Sequence, residues 1–180
     1  MKTARCTATF QTPLGELGMT ETSSGVSGLF FHGQKHEPAW EDTRTREPSR
    51  WQPSVSAWLS AYFSQTTLAD LPPLDLSQGT PLQRRVWQAL LALPPGTTCS
   101  YGALAAQIGQ PRAVRAVAAA IGRNPLSLLI PCHRVIGAQG ALTGYAGGLW
   151  RKQWLLEHEG AQGHRPQEFL PLPLAEKQVA

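Results

Sequence analysis

Cysteine is scarce in this chain. Cys6, Cys99 and Cys132 are the only thiols in 180 residues, too few for a disulfide framework, and an odd number leaves one unpaired. That usage fits a reducing compartment, so a cytoplasmic location is expected. No C-x2-4-C pair occurs, and no closely spaced His pair accompanies one, so no structural metal is expected. His32 and His36 have helical spacing, but Gly33 and Pro38 argue for a loop there. Long apolar runs are missing as well. Nothing approaches the 18 or so consecutive apolar residues of a membrane span, and the first residues lack the apolar core of a secretory signal. The largest absence is of negative charge: between Asp75 and Glu157 there is no Asp or Glu, while eight Arg and Lys fall in that interval.

What is present is a folded composition, 42% hydrophobic and 16% charged. The charge divides unevenly. Residues 1–78 hold six basic and eight acidic side chains, a balance of −2, and residues 79–180 hold ten and four, a balance of +6. An acid-free basic segment is the electrostatic footprint of a polyanion partner, the alternative being a merely basic surface.

In the first part, Cys6, Ala8 and Phe10 alternate with polar neighbours, Leu17 and Met19 repeat the pattern, and residues 26–31 read as a third strand. Residues 32–52, broken by Pro38 and Pro48, read as a loop. Val55, Trp58, Leu59 and Tyr62 share a helical stripe over 53–65. The prolines at 72 and 73 make 71–76 an extended linker. A domain boundary is expected there, giving an N-terminal α/β domain over 1–78, a second domain over 79–163 and a flexible tail over 164–180.

The second domain opens on Thr80-Pro81-Leu82-Gln83, an N-cap, a helix-compatible proline and a Gln three residues on, heading a helix to about Leu93. Ser100 can cap a helix over 101–108, which Gly109 ends, and a third helix is expected over 112–121. Two short helices joined by a tight glycine turn fit a helix-turn-helix or a structural helical hairpin. On the third helix Val114, Val117 and Ile121 face one way. Arg112, Arg115, Ala116, Ala119 and Arg123 face the other. Arginines beside alanines allow close approach to a phosphate backbone; an ordinary solvated face is the alternative.

An apolar, strand-like run at 128–130 ends in Pro131, and Cys132, His133 and Arg134 follow at once. A thiol of ordinary pKa is only about 3% ionised at pH 7, and a neighbouring base or positive charge raises its reactivity. Adjacent side chains usually diverge, so a buried structural cysteine is the competing reading, and the default for Cys6 and Cys99.

Three stretches carry a resemblance: Asn124-Pro125-x-x-x-x-Ile130-Pro131-Cys132-His133-Arg134-Val135-Ile136-Gly137, then Thr143-Gly144-Tyr145-Ala146-Gly147-Gly148, then Trp154-Leu155-Leu156-Glu157-His158-Glu159-Gly160. They resemble the O6-alkylguanine-DNA alkyltransferases, within which the bacterial Ogt-type methylated-DNA–protein-cysteine methyltransferases are most similar. The match is strong over 80–160 and loose before it. It implies an α+β fold: an N-terminal ribonuclease H-like three-stranded sheet with a helix, then a helical domain with a winged-helix-like helix-turn-helix. The implied activity is DNA repair by irreversible, single-turnover transfer of an alkyl group from O6-alkylguanine, with O4-alkylthymine a further candidate.

Carried onto this sequence, the resemblance makes Cys132 the alkyl acceptor. His133 becomes the base that acts through water, Glu159 its orienting partner, and Asn124 the holder of the turn. Tyr101 crowds the target phosphate and offers its hydroxyl to the purine. Arg115 replaces the extruded base, with Arg112, Ala116, Ala119 and Arg123 on the DNA-contacting face in the minor groove. Val135, Tyr145, Ala146, Gly147 and Gly148 line the base pocket, and Lys152 lies near it. Ala146 stands where some members carry Ser, which removes a hydroxyl contact to the alkylated oxygen. The implied partner is double-stranded DNA, met by a monomer, with no cofactor and no metal. Three rivals remain: a recognition protein without transfer, a helix-turn-helix regulator and a cysteine hydrolase. The first lacks the acceptor cysteine, the second leaves the Cys-His-Arg run unexplained, and the third would turn over.

Overall fold

The computed structural model describes residues 3–41 and 49–161. The expected tail over 164–180 lies outside them. The chain divides into two compact units that meet between Gln78 and Gly79. Among the described residues no helix is long and apolar enough to cross a membrane.

In the first unit, β1 (Thr3–Arg5) precedes an antiparallel sheet of β2 (Ala8–Thr12), β3 (Gly15–Glu21) and β4 (Val26–Phe31), in the order β2-β3-β4. Phe10 pairs with Leu17, and Leu17 with Phe31, so these apolar side chains share one sheet face. They are buried with Met19 and Leu29. Helix α1 (Gln52–Phe63) contributes Val55, Trp58, Leu59 and Tyr62 to the core, the stripe read from the sequence. The three-stranded sheet with a helix is thus present.

Two details differ. Cys6 lies between strands, because pairing with β3 starts at Ala8. The supposed loop over 32–52 contains β5 (Ala39–Glu41), which pairs in parallel with β1. A three-residue strand whose partner lies more than thirty residues away leaves no periodic signal of its own.

The second unit is built from helices α2 (Pro81–Leu91), α3 (Tyr101–Gln107), α4 (Val114–Gly122) and α5 (Leu149–His158). A short parallel pair, β6 (Cys99–Ser100) with β7 (Val135–Ile136), lies among them. Thr80 and Gln83 form the capping box at the head of α2, and the Ser100 hydroxyl accepts from the Ala103 N–H at the head of α3. Gly109 turns the chain after α3 at a φ of 71°, a left-handed conformation that glycine adopts without strain. Helix α4 starts at Val114, two residues later than expected, so Arg112 sits in the turn before it. Val117, Ala120 and Ile121 pack inward, and the Trp87 indole N–H on α2 donates to the Ala120 carbonyl at 2.9 Å.

The run at 128–130 is not a strand. Pro125 and Pro131 each lack a backbone N–H, and Leu128 takes a φ of 71°, so the segment folds into buried turns that deliver Cys132 onto a short 3-10 helix, Cys132–Arg134.

Candidate active site

Asn124 organises the turn. Its Nδ2 donates to the Ile130 carbonyl at 2.8 Å and, more weakly, to the Leu126 carbonyl at 3.4 Å, while its Oδ1 accepts from the Leu126 N–H at 3.0 Å. The same Nδ2 lies 3.0 Å from Cys132 Sγ. One buried amide therefore fixes both the loop and the thiol. Burial raises the Cys132 pKa, and the Asn124 hydrogen bond only partly opposes that. The resting thiol keeps its proton and needs a base to react.

His133 is fully buried. Its Nε2 lies 2.9 Å from Glu159 Oε1, at the end of α5. Burial lowers the His133 pKa more than Glu159 raises it, so the imidazole is neutral at pH 7. A neutral ring beside a carboxylate carries its proton on Nε2, which leaves a lone pair on Nδ1. That Nδ1 is buried and has no hydrogen-bond partner.

Arg134 holds Glu159 from the other side. Its Nε and Nη2 reach the two carboxylate oxygens at 2.7 Å each, and its Nη1 donates to the Leu93 carbonyl. Burial pushes the Glu159 carboxyl up, but His133 and Arg134 outweigh it and hold the group well below the usual carboxylate range. With His133 neutral, the bidentate Arg134 pair is what keeps Glu159 ionised. The backbone helps to seat Glu159: Gly96 takes a φ of 75°, and a Cβ there would come within 2.8 Å of the Glu159 carbonyl oxygen. Sequence reasoning took Arg134 as positive charge beside the thiol, whereas its guanidinium is spent on Glu159. Its position next to Cys-His was the available signal; its partner at the far end of α5 was not readable.

Across the site stands Tyr145. Its ring meets the His133 ring edge-on with centroids 6.5 Å apart, and its hydroxyl is buried without a partner. Among the described residues, His133 Nδ1 and Tyr145 Oη are the buried side-chain polar atoms in that condition. Leaving such an atom unpaired costs about 1–3 kcal/mol, and such atoms cluster where a ligand or reaction needs them. Val135 is fully buried on β7, Gly147 is buried, Ala146 is half-buried, and Gly148 opens α5 at a φ of 92°. The ammonium of Lys152 is occupied by backbone carbonyls of Val135, Thr143 and Gly144.

Tyr101 heads α3, half-buried, with its hydroxyl donating to the Thr143 carbonyl at 3.0 Å. Arg112, Arg115, Ala116, Ala119 and Arg123 are all exposed, forming one side of α4 and its flanks. Apart from Tyr101, Ala146, Gly147 and Gly148, the anticipated residues fall into two groups: a buried cluster of Cys132, His133, Glu159, Asn124, Val135, Tyr145 and Lys152, and an exposed arginine-alanine face. Chemically, the cluster offers a protonated thiol, a neutral imidazole with a free lone pair, and an ionised carboxylate behind it. Among the described residues no group of His, Cys, Asp or Glu side chains could hold a metal ion.

Residues 81–161 match the family model described as 6-O-methylguanine DNA methyltransferase, DNA binding domain. The chain is 58% identical over 107 residues to the methylated-DNA–protein-cysteine methyltransferase of Salmonella typhimurium, across 59% of this chain and 62% of that protein, less than two thirds of its length. With the Mycobacterium tuberculosis protein of the same name it shares 45% identity over 154 residues, across 84% of this chain and 90% of the relative. The fold is similar to that of Mycobacterium tuberculosis OGT in complex with DNA, with a TM-score of 0.75, 41% identity, and coverage of 93% and 97% of the two chains.

Proposed function

Because the chain belongs to the methylated-DNA–protein-cysteine methyltransferase family, we propose that it repairs DNA by moving the alkyl group of O6-alkylguanine irreversibly onto its own Cys132. What most supports this reading is the buried thiol on Asn124 beside an imidazole whose Nδ1 is free and whose Nε2 is held by Glu159. The thiol loses its proton to His133 Nδ1 through a bridging water. Sulfur then attacks the alkyl carbon, an S–C bond forms, and the C–O6 bond breaks. The guanine leaves with a proton taken up in place of the alkyl group. A thioether has no ready route back to a thiol, so each chain acts once. Glu159 stabilises the imidazolium as it forms, and Arg134 keeps Glu159 charged.

The alkylated base reaches a buried thiol only if it leaves the helix stack, at a cost of a few kcal/mol that a poorly pairing lesion reduces. Val135, Tyr145, Ala146 and Gly147 line the pocket that takes it. The exposed face of α4 enters the minor groove of duplex DNA as a monomer: Ala116 and Ala119 permit close approach, Arg112 and Arg123 meet phosphates, and Arg115 fills the space of the extruded base. Tyr101 crowds the target phosphate.

Arg115→Ala tests the extrusion step. We expect transfer from duplex DNA to fall by about 100-fold, and transfer from the free base O6-benzylguanine to change by less than about threefold, since a free base needs no extrusion. Equal losses on both substrates would remove the extrusion role. The pH profile tests the base. The His133 pKa lies below its ordinary 6.5, so the single-turnover rate should hold level as pH drops to 6.5 and decline only below it. An acid limb centred above 6.5 contradicts a neutral His133 as base.

A further inference from the structure

At the head of α5 two adjoining apolar side chains face solvent: Leu149 is 48% exposed and Trp150 57%. Burying an indole is strongly favourable, so one left open beside a pocket marks a contact surface. The ring is nevertheless held from two sides. The Arg151 guanidinium lies over it, 4.5 Å from the centroid. Its pyrrole edge rests on Gly148, where a Cβ would meet Trp150 Cδ1 at 3.4 Å and Nε1 at 3.5 Å. Arg151 is itself fixed, because its Nη1 donates to the Gly147 carbonyl at 2.7 Å. Gly147 lines the base pocket in the alkyl-transfer reading, so the indole stands at the lip of that pocket. Trp150, Trp154 and His158 recur every four residues and share one side of α5. Trp154 and His158 stack on each other with centroids 4.6 Å apart, both half-buried. Trp150 is the exposed member of the row.

Building on the alkyl-transfer reading, we propose that Trp150, backed by Arg151, is a nucleotide-stacking subsite at the lip of the base pocket, and that it takes the unpaired base next to the lesion in single-stranded DNA. A flat ring with a guanidinium on one face is a platform for another flat ring, and every nucleobase offers one. The charge agrees with that occupant. No Asp or Glu occurs between Asp75 and Glu157, and Arg151 adds a cation where a phosphate accompanies the base. Duplex and single strand differ in what they present. In a duplex the neighbours of the lesion stay paired and stacked, and the groove receives the α4 face. A single strand offers α4 no groove, but its bases are free to turn onto an aromatic ring. Trp150 touches neither sulfur nor alkyl group, so its effect falls on how the strand is held.

The test measures single-turnover transfer on the full chain from three substrates. They are a single-stranded oligonucleotide with a central O6-methylguanine, the same strand in a duplex, and the free base O6-benzylguanine. For Trp150→Ala we expect the second-order rate on the single strand to fall by about tenfold, and the rates on duplex and free base to stay within about twofold of wild type. Trp150→Phe keeps a stacking ring and should recover most of the loss. Equal losses on all three substrates, or no loss on the single strand, overturn the proposal. A wild-type chain that transfers from none of the three overturns the alkyl-transfer reading itself.

A second measurement changes the DNA instead of the protein. An abasic residue placed next to the lesion, upstream in one single strand and downstream in another, removes the base that the indole stacks on. One of the two strands should slow wild-type transfer by about the factor seen for Trp150→Ala. On that strand Trp150→Ala should cause no further loss, because both changes remove the same contact. Wild-type rates unaffected by either abasic residue overturn the proposal, and so do losses that multiply. A Trp150→Ala defect that appears only at high protein concentration assigns the indole to a contact between copies of the chain, and overturns it as well.

Discussion

Cys132→Ala is expected to abolish alkyl transfer completely while leaving the protein folded and able to bind duplex DNA. The loss is total because no other thiol can substitute. Cys99 is buried on β6 with its pKa raised by burial to about 12, and Cys6 lies in the other unit. The fold survives because Asn124 keeps its bonds to the Ile130 and Leu126 carbonyls when the sulfur is gone. What disappears is one hydrogen bond and the packing of one small atom, about 1 kcal/mol together. DNA affinity is retained because the exposed arginine face lies outside the cluster. Gel-shift titration alongside transfer of a labelled alkyl group separates the two properties. Residual transfer in this variant would assign the acceptor to another side chain.

Glu159→Ala should produce the largest loss of stability. The carboxylate is nearly inaccessible to solvent, as are both of its partners. Removing it leaves the Arg134 guanidinium buried with, among the described residues, the Leu93 carbonyl alone, and deprives the His133 Nε2–H of its acceptor. Breaking a buried ion pair from one side costs about 3–5 kcal/mol, a large part of a small domain's total stability. Denaturant unfolding should show the midpoint falling steeply. Transfer should drop even under conditions where the variant stays folded, because His133 loses the charge that stabilises its protonated form. Glu159→Gln keeps the shape but not the charge. It should recover part of the stability and little of the rate. An alanine variant as stable as wild type contradicts the proposed weight of the Arg134–Glu159–His133 cluster.

The sequence was most readable where local rules act alone. Thr80 with Gln83, and Ser100 before Tyr101, announce helix starts that need only backbone N–H groups and a nearby oxygen. The stripe of Val55, Trp58, Leu59 and Tyr62 fixes the inner face of α1 by periodicity. The Cys-His-Arg run drew attention to the segment that the structure buries on Asn124 and Glu159, although periodicity alone suggested a strand before it. There the folding depends on Asn124 supplying the hydrogen bonds that flanking prolines cannot, and a side chain's reach is not a periodic signal. The same limit hid β5, whose partner strand is remote in sequence, and the later start of α4 at Val114. Arg134 and Lys152 are hardest of all. Each is a buried cation whose meaning lies in acceptors brought by distant elements, so composition marks them only as positive charge.

The central claim is that Cys132 takes one alkyl group and keeps it. Intact-protein mass spectrometry after mixing with an excess of O6-methylguanine duplex tests it directly. The account predicts one adduct of about 14 Da, as expected when S–CH3 replaces S–H, mapping to Cys132 and saturating at one per chain. An unmodified protein bound to the lesion, or product accumulating beyond one equivalent per chain, would contradict it.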